Sequence, residues 1–339
     1  AYSKDRLAPM IRDCLRLRNR VRDPKARDSG NTILHKVFAG GHLTVTGAHS
    51  PAGLAPRPVR CVFADGLVLP TSFVFHRDGV IVSQAPQILF LRDTNGDGKA
   101  DKREALFSGF GTYDTHAVIN NLRWGLDGWV YGCQGYSGTE STNIVNARGQ
   151  SFGKIGNGIF RFKPDGSVIE QVSSYSGNSW GIDFNAEGEL FFSKANGPHL
   201  NHVVMPERYL SRGKLGNATS DKSIADHAKV SPIFTDPRHE YVQVAPVGVF
   251  TAASGCTIYQ GGAWPEKYHG SAFVCEPTVH IVHEDILSRG ESPTYEATRR
   301  DDAGGPVCLT RAQLGANLEF ASHVGTGNDA VAFDSADGG

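Results

Sequence analysis

Charge of one sign is missing from this chain, since 34 basic against 35 acidic residues leave a formal net charge of −1. Without an overall field, neither nucleic acid nor an anionic membrane surface is expected as a partner. Long apolar runs are missing too. No stretch approaches the roughly 18 to 20 residues that cross a bilayer, and no signal peptide is visible. The chain opens on Ala1, which leaves open a removed leader or a fragment. Cys14, Cys61, Cys133, Cys256, Cys275 and Cys308 form no Cys-x-x-Cys and no Cys-x-x-Cys-His. That excludes a zinc knuckle, a thioredoxin-like pair and a covalent c-type haem within these residues. Isolated thiols packed as small hydrophobes in strands are the expectation, with disulfides left open by spacing alone.

What is present is glycine, 40 residues of it, with Phe, Tyr and Trp recurring beside it in the 339 residues. That balance suits many short strands joined by tight turns. Three regions follow. Residues 1–60 read as an irregular or partly helical segment: an arginine-rich amphipathic pattern spans Arg6 to Arg27, and a Gly/Ala/Pro-rich lead-in without strand alternation runs from Gly40 to Pro58. Residues 61–298 carry strand alternation, and residues 299–339 read as an irregular tail. The two ends lack the grammar of the middle, as unrelated segments or reading-frame artefacts joined to a partial domain would.

Within the middle region, Phe73, Phe75, Val80, Val82, Ile88 and Phe90 mark three short strands broken at Arg77-Asp78-Gly79 and Gln84-Ala85-Pro86. Further strands are expected at Gly158–Phe162, 168–173, 180–184 and 189–193, separated by Pro-Asp-Gly and Ala-Glu-Gly turns. Residues 199–245 are polar and aperiodic and read as a long insertion across one face. Glycines 79, 128 and 188 hold the same place in a repeated apolar, turn, apolar sentence, which is how propeller blades repeat. The fold class expected is all-β, a β-propeller of the six-bladed type with irregular termini. Four to six blade-like units are legible, few for a closed ring, so an incomplete ring stays open.

Two stretches carry chemistry. In DTNGDGKADKRE, oxygen-bearing side chains fall at loop positions 1, 3, 5, 9 and 12 (Asp93, Asn95, Asp97, Asp101, Glu104), Gly98 sits at the sharp turn of position 6, and Lys99 offers its carbonyl at position 7. This is a calcium pattern, and its strand-like flanks predict a calcium-clamped hairpin rather than a helix pair. The second stretch, DTHAVINNLRWGLDGWVYGCQGYSG from Asp114 to Gly138, places a histidine ahead of a strand, a Gly-Leu-Asp-Gly turn and a second strand ending in glycines. Such a unit presents polar groups to the mouth of a propeller. His199 and His202, like His280 and His283, are three apart, a spacing that turns strand side chains to opposite faces and argues against metal ligation by either pair.

From Val62 to Thr298 the chain resembles the membrane-bound dehydrogenase propeller domain of planctomycetes and verrucomicrobia. VFADGLVLPTSF, LFLRDTNGDGKAD, GFGTYDTHAVINNLRWGLDGWVYGCQGYSG, GIFRFKPDGS, NSWGIDF and SAFVCEPTVH carry that resemblance. More distantly it is similar to the soluble quinoprotein glucose and sorbosone dehydrogenases. That resemblance implies calcium and pyrroloquinoline quinone as cofactors, a sugar or alcohol as substrate, and a periplasmic or extracellular location. His116 would then be the base and Asp114 its orienting partner. Asn121 and Arg123 would be polar contacts for the cofactor, and the carbonyls of Gly197 and Pro198 would hold the cofactor calcium. The family's electron acceptor or haem module would lie outside this chain. Imidazole suits the task because its reference pKa near 6.5 leaves a free base at neutral pH. The same His and Asp would serve equally to hydrogen-bond a blade corner, and a calcium-stabilised propeller that binds glycans or proteins without chemistry is the alternative function.

Overall fold

The computed structural model describes residues 34–39, 42–49, 57–174, 177–216, 218–226, 249–261, 265–276, 281–290, 293–299 and 308–309. The arginine-rich Arg6–Arg27 stretch, most of the tail, and residue 217 and residues 227–245 of the 199–245 stretch lie outside them. A three-stranded antiparallel sheet comes first: β1 (Leu34–Ala39), β2 (His42–His49) and β3 (Arg57–Ala64). The lead-in expected over residues 40–58 is therefore in part strand. Leu43 and Val45 alternate there with Thr44 and Thr46, a period of two masked by the neighbouring Gly and Pro.

Four antiparallel sheets follow, each starting with its first strand in the chain. Blade I is β4 (Ser72–His76), β5 (Gly79–Gln84), β6 (Gln87–Arg92) and β7 (Lys102–Ser108). Blade II is β8 (Ile119–Trp124), β9 (Val130–Gln134), β12 (Gly158–Phe162) and β13 (Ile169–Ser174). Between β9 and β12 the chain leaves blade II, and β10 (Asn143–Asn146) and β11 (Ser151–Lys154) extend the outer edge of blade I beyond β7. Blade III is β14 (Asn178–Phe184), β15 (Leu190–Ala195), β16 (Leu200–Val203) and β17 (Asp221–Ser223), with the short helix α1 (Glu207–Arg212) before β17. Blade IV is β18 (Ser254–Ile258), β19 (Ala272–Glu276), β20 (Ile281–Arg289) and β21 (Tyr295–Arg299), with β22 (Cys308–Leu309) on β20. Residues 200–223, expected as part of an insertion, instead supply the two outer strands of blade III. They escape a periodicity reading because four and three residues are too few to show a period.

The first strands pack on one another in order, β4 on β8, β8 on β14 and β14 on β18. They run parallel, because their contacts advance together. Ser72 Oγ accepts from Leu122 N at 3.0 Å and Phe75 O from Trp124 Nε1 at 3.1 Å. Likewise Asp183 Oδ2 accepts from Ile258 N at 2.9 Å, and Phe184 O from Gln260 Nε2 at 2.6 Å. Four-stranded meanders with parallel inner strands stacked in sequence are propeller blades, so the all-β propeller class holds, with four blades among the described residues.

The alternation of each strand builds the stack. In β15 Phe192 faces the blade II side, with Tyr131, Cys133, Ile159 and Ile182, while its neighbour Phe191 faces blade IV, with Phe250, Cys256 and Val274. Between blades I and II lie Phe90, Phe107, Phe160 and Phe162. Each fully buried ring contributes on the order of 2–3 kcal/mol, so the blades are held by their mutual faces. Cys133, Cys256 and Cys275 are free thiols within this core, as the spacing led us to expect. Trp180 is buried, and Trp124 packs against the blade I–II cluster.

One buried histidine makes this core sensitive to pH. His202 stacks on Phe191 at 4.9 Å between centroids and meets Thr294 Oγ1 at 3.1 Å. Burial holds its imidazole below the ordinary 6.5, with Glu189 opposing. A depressed histidine contributes fully above its unfolded pKa and loses that contribution as pH falls below it, because the unfolded chain takes the proton first. Urea unfolding should therefore show a lower midpoint at pH 5.5 than at pH 7.5, and His202→Phe should show a smaller drop. An equal drop in both chains would remove His202 as the cause.

Candidate functional site

Because the inner strands are parallel, the array has two distinct ends. The segments that lead into β4, β8, β14 and β18 share the upper end with the β9–β10 and β15–β16 connections. The β6–β7 hairpin and the Gly125–Gly128 turn lie at the lower end.

Upper-end geometry centres on Asp114. Its Oδ1 accepts from the backbone N–H of His116 at 2.7 Å and lies 3.1 Å from His116 Nδ1, and its Oδ2 accepts from the Tyr136 hydroxyl. The backbone is fixed as well, because Ser137 Oγ accepts from Asp114 N at 2.9 Å and donates to Asp114 O at 2.8 Å. These bonds, Tyr136 first, hold the Asp114 carboxyl below the usual carboxylate range, so it stays an anion at neutral pH. The imidazole it orients is 82% exposed. His116 O accepts from Asn178 Nδ2 of blade III at 3.0 Å, which ties the loop to the next inner strand. Tyr136 and Asn178 were not singled out from sequence. Tyr136 begins a 3₁₀ turn in the excursion from blade II to blade I, and only the fold brings it to Asp114.

The cofactor candidates separate along the same strand. Asn121 is buried with φ +52, donates to Asn120 Oδ1 at 2.9 Å, and leaves its own Oδ1 without a hydrogen-bond partner. Arg123 lies two residues further down, where its charge acts on Asp183. Burial pushes that carboxyl up, and Arg123 is the first influence opposing it. Gly197 (φ +146) and the exposed Pro198 form the β15–β16 connection at the upper end. Asn196 N donates to Thr251 O at 2.9 Å there, and Pro198 O accepts from Asn201 Nδ2 at 3.3 Å.

The calcium candidate occupies the other end. Asp93 is the hub of the β6–β7 hairpin: Oδ1 accepts from Gly96 N at 2.6 Å and Asp97 N at 3.2 Å, and Oδ2 from Gly98 N at 3.0 Å. Asn95 Oδ1 accepts from Asp97 N and Asp97 Oδ1 from Lys99 N, both at 2.9 Å. Asp101 caps Thr94 through N–H at 2.9 Å and hydroxyl at 2.7 Å, which lowers its carboxyl pKa. Gly98 makes the expected turn at φ +89. Glu104 is exposed on β7 opposite Phe90.

A cluster that the spacing within each histidine pair does not address lies beneath the upper end. One histidine of each pair, His199 and His283, meets Asp285 across the blade III–IV interface. The readable signal was His283-x-Asp285, two residues that share a strand face, rather than the spacing within each histidine pair.

Residues 59–307 match the family described as Domain of unknown function (DUF7133). The chain belongs to this family. Residues 1–68 resemble the ATPase domain of phage terminase large subunit gpA, a match that overlaps the family region only at 59–68. No curated protein matches the chain. Among solved structures it is similar to a glucose dehydrogenase at 13% identity, covering 78% of this chain and 85% of that one with a TM-score of 0.44. It is also similar to an oxidoreductase (glucose dehydrogenase) from Thermus thermophilus at 13% identity, covering 79% and 85% with a TM-score of 0.42. Virginiamycin B lyase from Staphylococcus aureus gives 8% identity, 81% and 90% coverage and a TM-score of 0.35. With TM-scores below 0.5 in all three, the propeller assignment of this DUF7133 chain rests on its own strand packing.

Proposed function

We propose that this family member is a periplasmic or extracellular oxidoreductase of the quinoprotein type, which takes hydride from a carbon of a sugar-like alcohol while His116 takes the hydroxyl proton. The supporting observation is the exposed imidazole at the upper end, its Nδ1 turned onto a carboxylate that a tyrosine hydroxyl holds from behind. A base oriented through one nitrogen presents the other to a reactant. Asp114 remains ionised and steadies the imidazolium that forms, and Tyr136 fixes the carboxylate.

The same end suits a cation-bearing ligand. Asn121 Oδ1, Asn178 Oδ1 and Ser179 Oγ have no hydrogen-bond partners there, and oxygens of this kind bind calcium or donor groups. Asn121 and the Gly197-Pro198 carbonyls are the residues that would hold pyrroloquinoline quinone and its calcium, while Arg123, lower on β8 beside Asp183, stands apart from them. When bound, that pair accepts the hydride and polarises the accepting carbonyl. The Asp93–Glu104 hairpin, at the lower end, would take a separate calcium whose role is to brace a turn.

A second reading is a calcium-braced scaffold, and the lower-end hairpin is what favours it, since bracing needs no chemistry. Reconstituting the chain with pyrroloquinoline quinone and calcium and offering an aldose panel with a redox dye separates the two. Dye reduction that needs both additions is the expected result, and a folded, silent chain would support the scaffold.

A further inference from the structure

We propose that His199, His283 and Asp285 form a fully buried site for a divalent transition-metal ion of the zinc type, which cross-links blades III and IV. His199 enters from the β15–β16 connection, and His283 and Asp285 lie two apart on one face of β20. All three side chains have 0% exposure. Both imidazoles turn Nε2 to the same carboxylate, His199 at 2.6 Å from Oδ2 and His283 at 3.2 Å from Oδ1, and the three ligand atoms lie within 4.8 Å of one another.

Two imidazole nitrogens and a carboxylate oxygen are three of the four donors a tetrahedral zinc takes, with a water as the fourth, and an ion at about 2.0–2.1 Å from each ligand separates them by roughly 3.3 Å. The His283–Asp285 contact already has that spacing, the His199–Asp285 contact needs to open by less than about 1 Å, and the two imidazole nitrogens, within 4.8 Å of each other, complete the set by closing to it. Phe250 walls the cluster, stacked on His199 at 3.8 Å between centroids and edge-on to His283 at 5.2 Å. A divalent ion supplies twice the charge of a single histidine proton and engages all three side chains at once.

This site is separate from the quinone reading and can stand without it. The test is elemental analysis of the full chain purified without chelator, together with cobalt loading after removal of the native metal. The expected result is stoichiometric zinc or a related metal and cobalt ligand-field bands in the visible. Both should fall at least ten-fold in Asp285→Asn and His283→Gln, with calcium content unchanged. Should those variants fail to fold, the wild-type metal content and cobalt spectrum decide alone. A folded wild-type chain with no transition metal and no cobalt bands would overturn the proposal and leave a hydrogen-bonded His-Asp-His triad.

Discussion

Gly181→Ala should cost on the order of 3–5 kcal/mol and separate blades III and IV. An added Cβ would stand 2.4 Å from Cys256 N and 2.6 Å from Gly255 N, both backbone atoms of the neighbouring inner strand, and the position holds φ +128. Overpacking costs about 1–3 kcal/mol and a side chain in a forbidden backbone region about as much again. Backbone cannot swing aside as a long side chain can, so the strands must part. Gly156→Ala is the control, because its Cβ would meet nothing within 4 Å, and its effect should stay within about 1 kcal/mol. Urea unfolding of the two variants measures the difference. Equal midpoints would mean that the two inner strands do not approach as closely as described.

The second large effect is on activity. His116→Ala should lower dye-linked turnover of the reconstituted chain by roughly 100- to 10,000-fold, the range for removing a general base. Fold and quinone binding should survive, since the ring is exposed and its backbone contacts, Asn178 Nδ2 to O and N to Asp114, need no imidazole. Tyr136→Phe should cost less, because it loosens the carboxylate without removing the base. A variant as active as the parent would return His116 and Asp114 to the role of a blade corner.

How much of this was legible from the sequence depends on the range of the interaction. β12 falls on Gly158–Phe162 as its alternation and Pro-Asp-Gly turn require, and β4, β5 and β6 fall between the predicted breaks. Local chemistry also placed Asp114 beside His116, two residues apart. What escaped was set at long range. β10 and β11 carry no mark that they return to blade I, because β7, the partner of β10, lies more than 30 residues earlier in the chain and β11 joins only through β10. Tyr136 reaches Asp114 only through that detour. His199 and Asp285 are 86 residues apart, and their meeting depends on how two blades stack. The lower-end position of the Asp93 hairpin follows from strand direction, which composition does not encode.

The most direct test of the account is anaerobic. The chain and His116→Ala are each loaded with pyrroloquinoline quinone and calcium, passed through gel filtration, and mixed with an aldose while the quinone absorbance is followed. The account predicts that quinone elutes with both chains and bleaches quickly only in the parent. Quinone eluting apart from the parent chain, or bleaching at the same rate in both, would contradict it.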